Sequence, residues 1–367
     1  MEERSRDSSS KPQNLHLLQR IKGFTRSLLE DVCIRHCLPS VTLDRYRNYC
    51  SDPTGNWYCC NSNLLNGEEI LSLERESHAY RLDALLRVLL IVQTLLQENK
   101  HLSKRDIYYI HPSVFSEQQV VDRAINDICI LLKCSRHNLN VVSVGKGLVM
   151  GWLRFLQAGR KFDCMRSPST GHPIPMHVEE VEDVMCVAKY ILVVEKETVF
   201  QRLANDKFCE KNHCIVITGR GYPDVSTRRF LRLLVEKLCL PAYCLVDCDP
   251  YGFDILTTYR FGSMNMAFDA KLLRVPEIRW LGVFPSDAKK YHLPDCCLVP
   301  LTPKDKNKAE TMLQRCYLHR EAPQWRSELG IMLQRGMKFE IEAFSVSSFS
   351  FLSDEYIPSK IQDGVYI

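Results

Sequence analysis

Three short runs that are apolar throughout, but for a closing threonine in the second, fix the architecture of the second half of this chain: Tyr190–Val194, Cys214–Thr218 and Ala242–Val246. They alternate with helical patterns at Thr198–Leu203 and Val225–Leu240. A strand without polar alternation has no face to give to water, so it belongs in a parallel sheet covered by helices on both sides. Ile278–Val283 supplies a fourth strand, and beyond Pro300 the text is mostly helical, ending in a Pro-interrupted tail.

The first half reads differently. Residues 1–14 look like a polar, disordered arm without the apolar core of a secretory signal. Leu18, Ile21, Phe24, Leu28, Leu29 and Val32 mark an amphipathic helix from Leu15 to about Cys37, stopped by Pro39, and Asn48–Asn66 reads as loop. A strong helix runs from Tyr80 to about Glu98. Ser103 and Asp106 make a capping box for a short helix Lys104–Tyr109, and Ser116 and Gln119 make another for a third helix. Leu139–Val144, the turn Gly145-Lys146-Gly147 and Leu148–Phe155 then read as a hairpin. Three helices followed by a hairpin is the order of a winged helix-turn-helix. Ala79–Cys164 carries twelve Lys/Arg against seven Asp/Glu, a net +5 where the whole chain nets +4. The excess positive charge therefore lies in the segment with the pattern of a DNA-binding module.

The expected organisation is an N-terminal arm over 1–75, a winged-helix domain over 76–165, a Ser/Pro/Thr/Gly-rich linker over 166–182 and an α/β domain over 183–367. Seventeen cysteines without a C-x-x-C pair read as reduced thiols in a reducing compartment. No apolar run approaches the ~20 residues of a membrane span.

Glu195, Asp247 and Asp249 each stand where a predicted strand ends, the edge at which open α/β sheets bind ligands. Asp247 and Asp249 are two apart and share a face in extended chain. Three carboxylates on one edge repel unless a cation joins them, and an oxygen-only set suits Mg²⁺ better than zinc. D-x-D pairs are common, so spacing leaves open whether the three converge. Gly219-Arg220-Gly221 opens a helix and offers N–H groups to a phosphate, but Asp224 stands where a dinucleotide fingerprint needs its third glycine. Arg105 and Tyr109 are i,i+4 neighbours on one helical face. A phenol with a pKa near ~10 is a poor nucleophile at neutral pH. An adjacent guanidinium favours its phenolate and binds an attacked phosphate.

Lys-Arg-Asp-Ile-Tyr-Tyr (104–109), Val-Val-Glu-Lys-Glu (193–197), Thr-Gly-Arg-Gly-Tyr-Pro-Asp (218–224) and Val-Asp-Cys-Asp-Pro-Tyr-Gly (246–252) occur in one order. Together they resemble the topoisomerase VI A-subunit family, above all its eukaryotic meiotic, sporulation-eleven-type members and among these a plant paralogue. The resemblance covers about Tyr80 to Pro358 and implies a CAP-like winged-helix domain followed by a Toprim domain. It implies Tyr109 as the nucleophile, Arg105 near the scissile phosphate, Glu195, Asp247 and Asp249 as the Mg²⁺-binding acids, and Lys146 and Tyr222 as DNA contacts. It further implies meiotic double-strand breaks made in the nucleus through a 5′-phosphotyrosyl link, by two protomers (a homodimer or a pair of paralogues) whose tyrosine and acids meet across chains. No ATP site is readable, so a topoisomerase-VI-B-like partner is expected. Two rivals remain: a Toprim nuclease using Mg²⁺ and water, which would not need Tyr109, and a non-catalytic DNA-binding scaffold.

Overall fold

The computed structural model describes residues 11–44, 49–51, 57–59, 68–142, 145–166, 171–263 and 273–367. They fall into two compact units: 11–44, 59 and 68–142 form the first, and 49–51, 57–58, 145–166, 171–263 and 273–367 the second.

The first unit is helical. Helices α1 (Lys11–Cys33), α2 (Glu76–Glu98), α3 (Lys104–Ile110), α4 (Pro112–Phe115) and α5 (Gln118–Leu131) surround a core of Leu17, Ile21, Leu85, Val88, Val92, Ile107, Val121, Ile125 and Ile128. The helical spacing of these residues puts them on inward faces. Strands β1 (Ser40–Asp44) and β2 (Glu68–Ser72) pair antiparallel, and Val41, Leu43 and Leu71 bury against Leu82 of α2. The arm expected over 1–75 therefore contributes structure of its own. Its strands were missed although Val41 and Leu43 alternate with exposed neighbours, a period-two signal five residues long. Residues 1–10 of the expected disordered stretch, and most of the Asn48–Asn66 loop, lie outside the described residues. Arg81 is buried and donates to both Asp127 oxygens at 2.8 Å and to Glu69 at 2.8 Å, tying α2 to α5 and β2. A guanidinium out of water needs such full pairing.

The capping box at Ser103 and Asp106 forms as expected. The one read at Ser116 does not: α5 starts behind Glu117, and the Ser116 hydroxyl turns back to the Phe115 carbonyl and to Tyr80.

The second unit contains β5 (Leu148–Gly151), β6 (Leu153–Gln157), β7 (Arg160–Asp163), β8 (His172–Pro173), β9 (Val181–Cys186), β10 (Tyr190–Val194), β11 (Cys214–Thr218), β12 (Ala242–Leu245) and β13 (Arg279–Gly282). Its main sheet has the order β8-β5-β11-β10-β12-β13, and β9-β6-β7 form a smaller one. β11, β10, β12 and β13 run parallel, every residue of the first three is buried, and helices α6 (Glu197–Asn205) with the short α7 (Phe208–Asn212), α8 (Val225–Leu238) and α9 (Pro250–Phe261) alternate with them. This is the arrangement the apolar runs required.

The hairpin expected over 139–155 does not form. In the first unit Val141–Val142 (β4) pairs in parallel with Leu102–Ser103 (β3). In the second, β5 pairs antiparallel with β11. The reason lies in Leu148-Val149-Met150: all three are buried, and a strand apolar on both faces is a sheet-interior strand, not a solvent-facing wing. The expected linker is corrected too. His172–Pro173 pairs with β5, and Ile174 and Val178 are buried; residues 167–170 lie outside the described ones.

Candidate active site

The parallel strands end on one edge of the sheet, and the three acids stand there. Glu195 follows β10, and its Oε2 accepts the Asp247 backbone N–H at 2.9 Å. Asp247 follows β12; its Oδ1 accepts the Ile341 N–H at 2.9 Å and its Oδ2 contacts Lys196 Nζ at 2.9 Å. Cys248 turns into the core, so Asp249 returns to the side of Asp247. Asp249 caps α9, its Oδ1 accepting the Gly252 N–H at 2.6 Å. A side chain on Gly252 would lie 2.5 Å from the Asp247 carbonyl and 3.0 Å from Glu195 Oε2. Glycine lets α9 start directly on the acids.

Burial pushes the Glu195 carboxyl up to about 8, with the charge of Asp247 adding to it. Burial likewise pushes Asp247 up to about 6, against the Ile341 N–H and Lys196, and raises Asp249. Lys196 bridges Asp247 and, from the segment after Met337–Lys338, Glu340 at 3.1 Å and Glu342 at 2.9 Å. Burial disfavours its charge, but its carboxylate partners outweigh that and hold its pKa above the ordinary value.

Among the described residues no group of three or more His, Cys, Asp or Glu is gathered as an ion's ligand set. The acids are neighbours, not a closed cage, because each spends an oxygen on a backbone N–H or on Lys196. The donor chemistry nevertheless fits a hard divalent cation: oxygen donors only, partly or fully buried, with their negative charge incompletely balanced.

Tyr109 lies in the first unit, on α3. The residue is 60% exposed, and its ring packs edge-to-face with that of Tyr108 at a centroid distance of 5.1 Å. Tyr108 is half-buried and donates to the Ser116 carbonyl at 3.4 Å. The capped helix turns on buried Ile107, which leaves Arg105 and Tyr109 on the exposed side.

Lys146 and Tyr222 both stand in the second unit, around the glycine loop. The Lys146 N–H donates to Asp224 at 2.7 Å and its Nζ to the Arg220 carbonyl at 3.1 Å. Exposed Tyr222 donates to Asp254 at 2.7 Å, and Lys308 and Arg315 hold the same carboxylate. The loop itself is no phosphate cradle, since its Arg220 and Gly221 N–H groups are spent on Thr218 and on the Glu195 carbonyl. Asp224, in place of a third glycine, caps α8.

Lys196, Glu340, Glu342 and Asp254 were not singled out from the sequence. Lys196 adjoins Glu195 and was within reach. The glutamates lie far along the chain, in a short stretch where they alternate with buried Phe339 and Ile341, and nothing in that alternation points to Lys196.

Residues 190–361 match the Toprim domain of the topoisomerase 6 A-subunit/Spo11 family, and residues 80–141 match "Type IIB DNA topoisomerase". The chain is 64% identical over 353 residues to the Arabidopsis thaliana "Meiotic recombination protein SPO11-1", covering 96% of this chain and 97% of that one. It is 41% identical over 291 residues to Homo sapiens "Meiotic recombination protein SPO11", covering 79% and 73%. It is 40% identical over 276 residues to the DNA topoisomerase 6 A-subunit of Arabidopsis thaliana, covering 75% and 64%.

Proposed function

The chain belongs to the topoisomerase 6 A-subunit/Spo11 family of DNA-cleaving transesterases and, with its meiotic relatives, makes the double-strand breaks of meiosis; on that premise we propose how its own residues do so. Tyr109 Oη attacks a DNA phosphorus. The new O–P bond leaves a 5′-phosphotyrosyl link, the 3′ oxygen departs and takes up a proton, and the phenol gives one up. No water enters the products, so the step is a transesterification. Arg105, one turn away on the same exposed face, binds the attacked phosphate and favours the phenolate. Glu195 and Asp247, with Asp249 in support, hold Mg²⁺, which when bound supplies positive charge to the reacting phosphate. Lys146 and Tyr222 contact the duplex.

The observation that carries this reading is the exposure of Tyr109 beside Arg105 on a capped helix, where a packing tyrosine would be buried. The site works on double-stranded DNA in the nucleus, as a pair of protomers with a topoisomerase-VI-B-like partner. No described helix is long and apolar enough to cross a membrane. A two-fold pair places two nucleophiles on opposite strands by symmetry.

Mixing Tyr109→Phe with Glu195→Gln protomers tests the arrangement. With tyrosine and acids meeting across chains, a mixed dimer has one intact site and nicks one strand. With sites inside each chain it cuts nothing. A cut without attached protein supports the nuclease, and a wild-type protein that cuts nothing supports the scaffold.

A further inference from the structure

We propose that Lys196 is a built-in cation of the acid edge, one that is handed from Asp247 to Glu340 and Glu342 when a divalent ion takes Asp247. The inference rests on the acid edge being a metal site, and goes beyond it in naming the residue that competes for that site.

Its basis is the way one ammonium is shared. Lys196 Nζ lies 2.9 Å from Asp247 Oδ2, 3.1 Å from Glu340 and 2.9 Å from Glu342. The Lys196 side chain is 25% exposed and Asp247 8%, so this is not a solvated surface pair. The other Asp247 oxygen accepts the Ile341 N–H, from the residue between the two glutamates. Both oxygens of the acid are therefore held by Lys196 and the 340–342 segment together. An incoming ion that binds Asp247 Oδ2 displaces the ammonium. Glu340 and Glu342 already touch it, so the displaced charge stays paired and the lysine does not leave the protein. Thr198 donates to the other oxygen of Glu342 at 2.7 Å and fixes the receiving carboxylate. The lysine thus lowers the repulsion of the acids without metal and sets how tightly metal binds.

Removing a competing cation tightens binding, but so does removing any nearby positive charge. Lys338 separates the two cases. It pairs with Asp305 at 2.8 Å and its charge acts on Asp249 from a distance. The experiment is calorimetric titration of the full chain with Mn²⁺ and with Mg²⁺, without DNA, alongside melting of the metal-free protein. Lys196→Gln is expected to bind Mn²⁺ about tenfold tighter and to melt lower without metal. Lys338→Gln is expected to change affinity by about twofold or less, as a screened charge does. Glu340→Gln/Glu342→Gln leaves the ammonium on Asp247 alone and is expected to weaken Mn²⁺ binding. Adding Lys196→Gln to that variant is expected to restore affinity by clearly more than tenfold, a coupling that a double-mutant cycle reads. Equal effects at Lys196 and Lys338, or additive effects around the cycle, overturn the hand-off and leave the metal site standing. A wild-type chain that binds neither ion, or binds both equally well as Glu195→Gln, overturns the metal site and the hand-off with it.

Discussion

The two halves of the proposed chemistry are built in opposite ways. Tyr109 stands on an exposed helix face with the edge of one ring beside it, and what fixes it is the backbone of α3, capped at Ser103 and anchored by Ile107. Glu195, Asp247 and Asp249 are held by side-chain contacts to the Asp247, Ile341 and Gly252 N–H groups and to Lys196, at a sheet edge whose strands are wholly buried. The nucleophile must reach a phosphate on a large, stiff substrate, so it is presented outward. The acids must tolerate mutual repulsion, so they are clamped. Changes at the tyrosine should therefore touch chemistry alone, and changes at the acids should touch chemistry and stability together.

The largest effect expected is at the nucleophile. Tyr109→Phe should abolish covalent DNA attachment while the melting transition stays within about 0.5 kcal/mol of wild type, the range of an exposed substitution. Tyr108→Phe should keep forming breaks. Adduct gels and thermal melts of the two variants read this directly.

The acids should behave otherwise. Glu195→Gln and Asp247→Asn should each lose cleavage in Mg²⁺, yet alter the pH dependence of folding. Both acids are raised above the ordinary carboxylate value, so they favour the folded state most below about pH 4, where they are protonated in both states. That contribution is lost as pH rises through about 6 and about 8. The melting temperature of the metal-free protein should therefore fall between pH 5 and 8.5. Glu195→Gln should flatten the upper part of that fall, and Mg²⁺ should offset it most at the alkaline end. A profile that Glu195→Gln leaves unchanged would contradict the buried, repelling pair.

Much of this was legible in the sequence because it is local. Tyr190–Val194 and Cys214–Thr218 form strands over the ranges their composition indicates, and the Ser103–Asp106 box starts α3 where its residue types require. What was not legible depends on partners far along the chain. Nothing inside Leu148–Gly151 says that its neighbour is β11, although its unbroken apolar text argued against a wing. Nothing near Ile341 says that its N–H will serve Asp247. The acids themselves were visible as strand endings; what holds them was not.

Gly252→Ala should give the next effect. Its Cβ would meet the Asp247 carbonyl at 2.5 Å, so backbone must shift, at a cost of about 1–3 kcal/mol. Melting and cleavage should fall together, as for any change on the clamped side. The smallest effect is expected at Lys146. Lys146→Ala should weaken DNA binding across sequences alike and lower the slope of log affinity against log salt by about 1, with little change in melting.

The central claim is that this chain cuts DNA with Tyr109 itself. Trypsin acting after Arg105 and Arg123 releases one peptide that holds Tyr108 and Tyr109 and no other tyrosine. Trapped protein–DNA complexes, digested with nuclease and trypsin and fragmented in a mass spectrometer, should carry the nucleotide remnant on that peptide, placed at Tyr109 by the fragment ions. A remnant on Tyr108, on another peptide, or on none while strands are cut would contradict it.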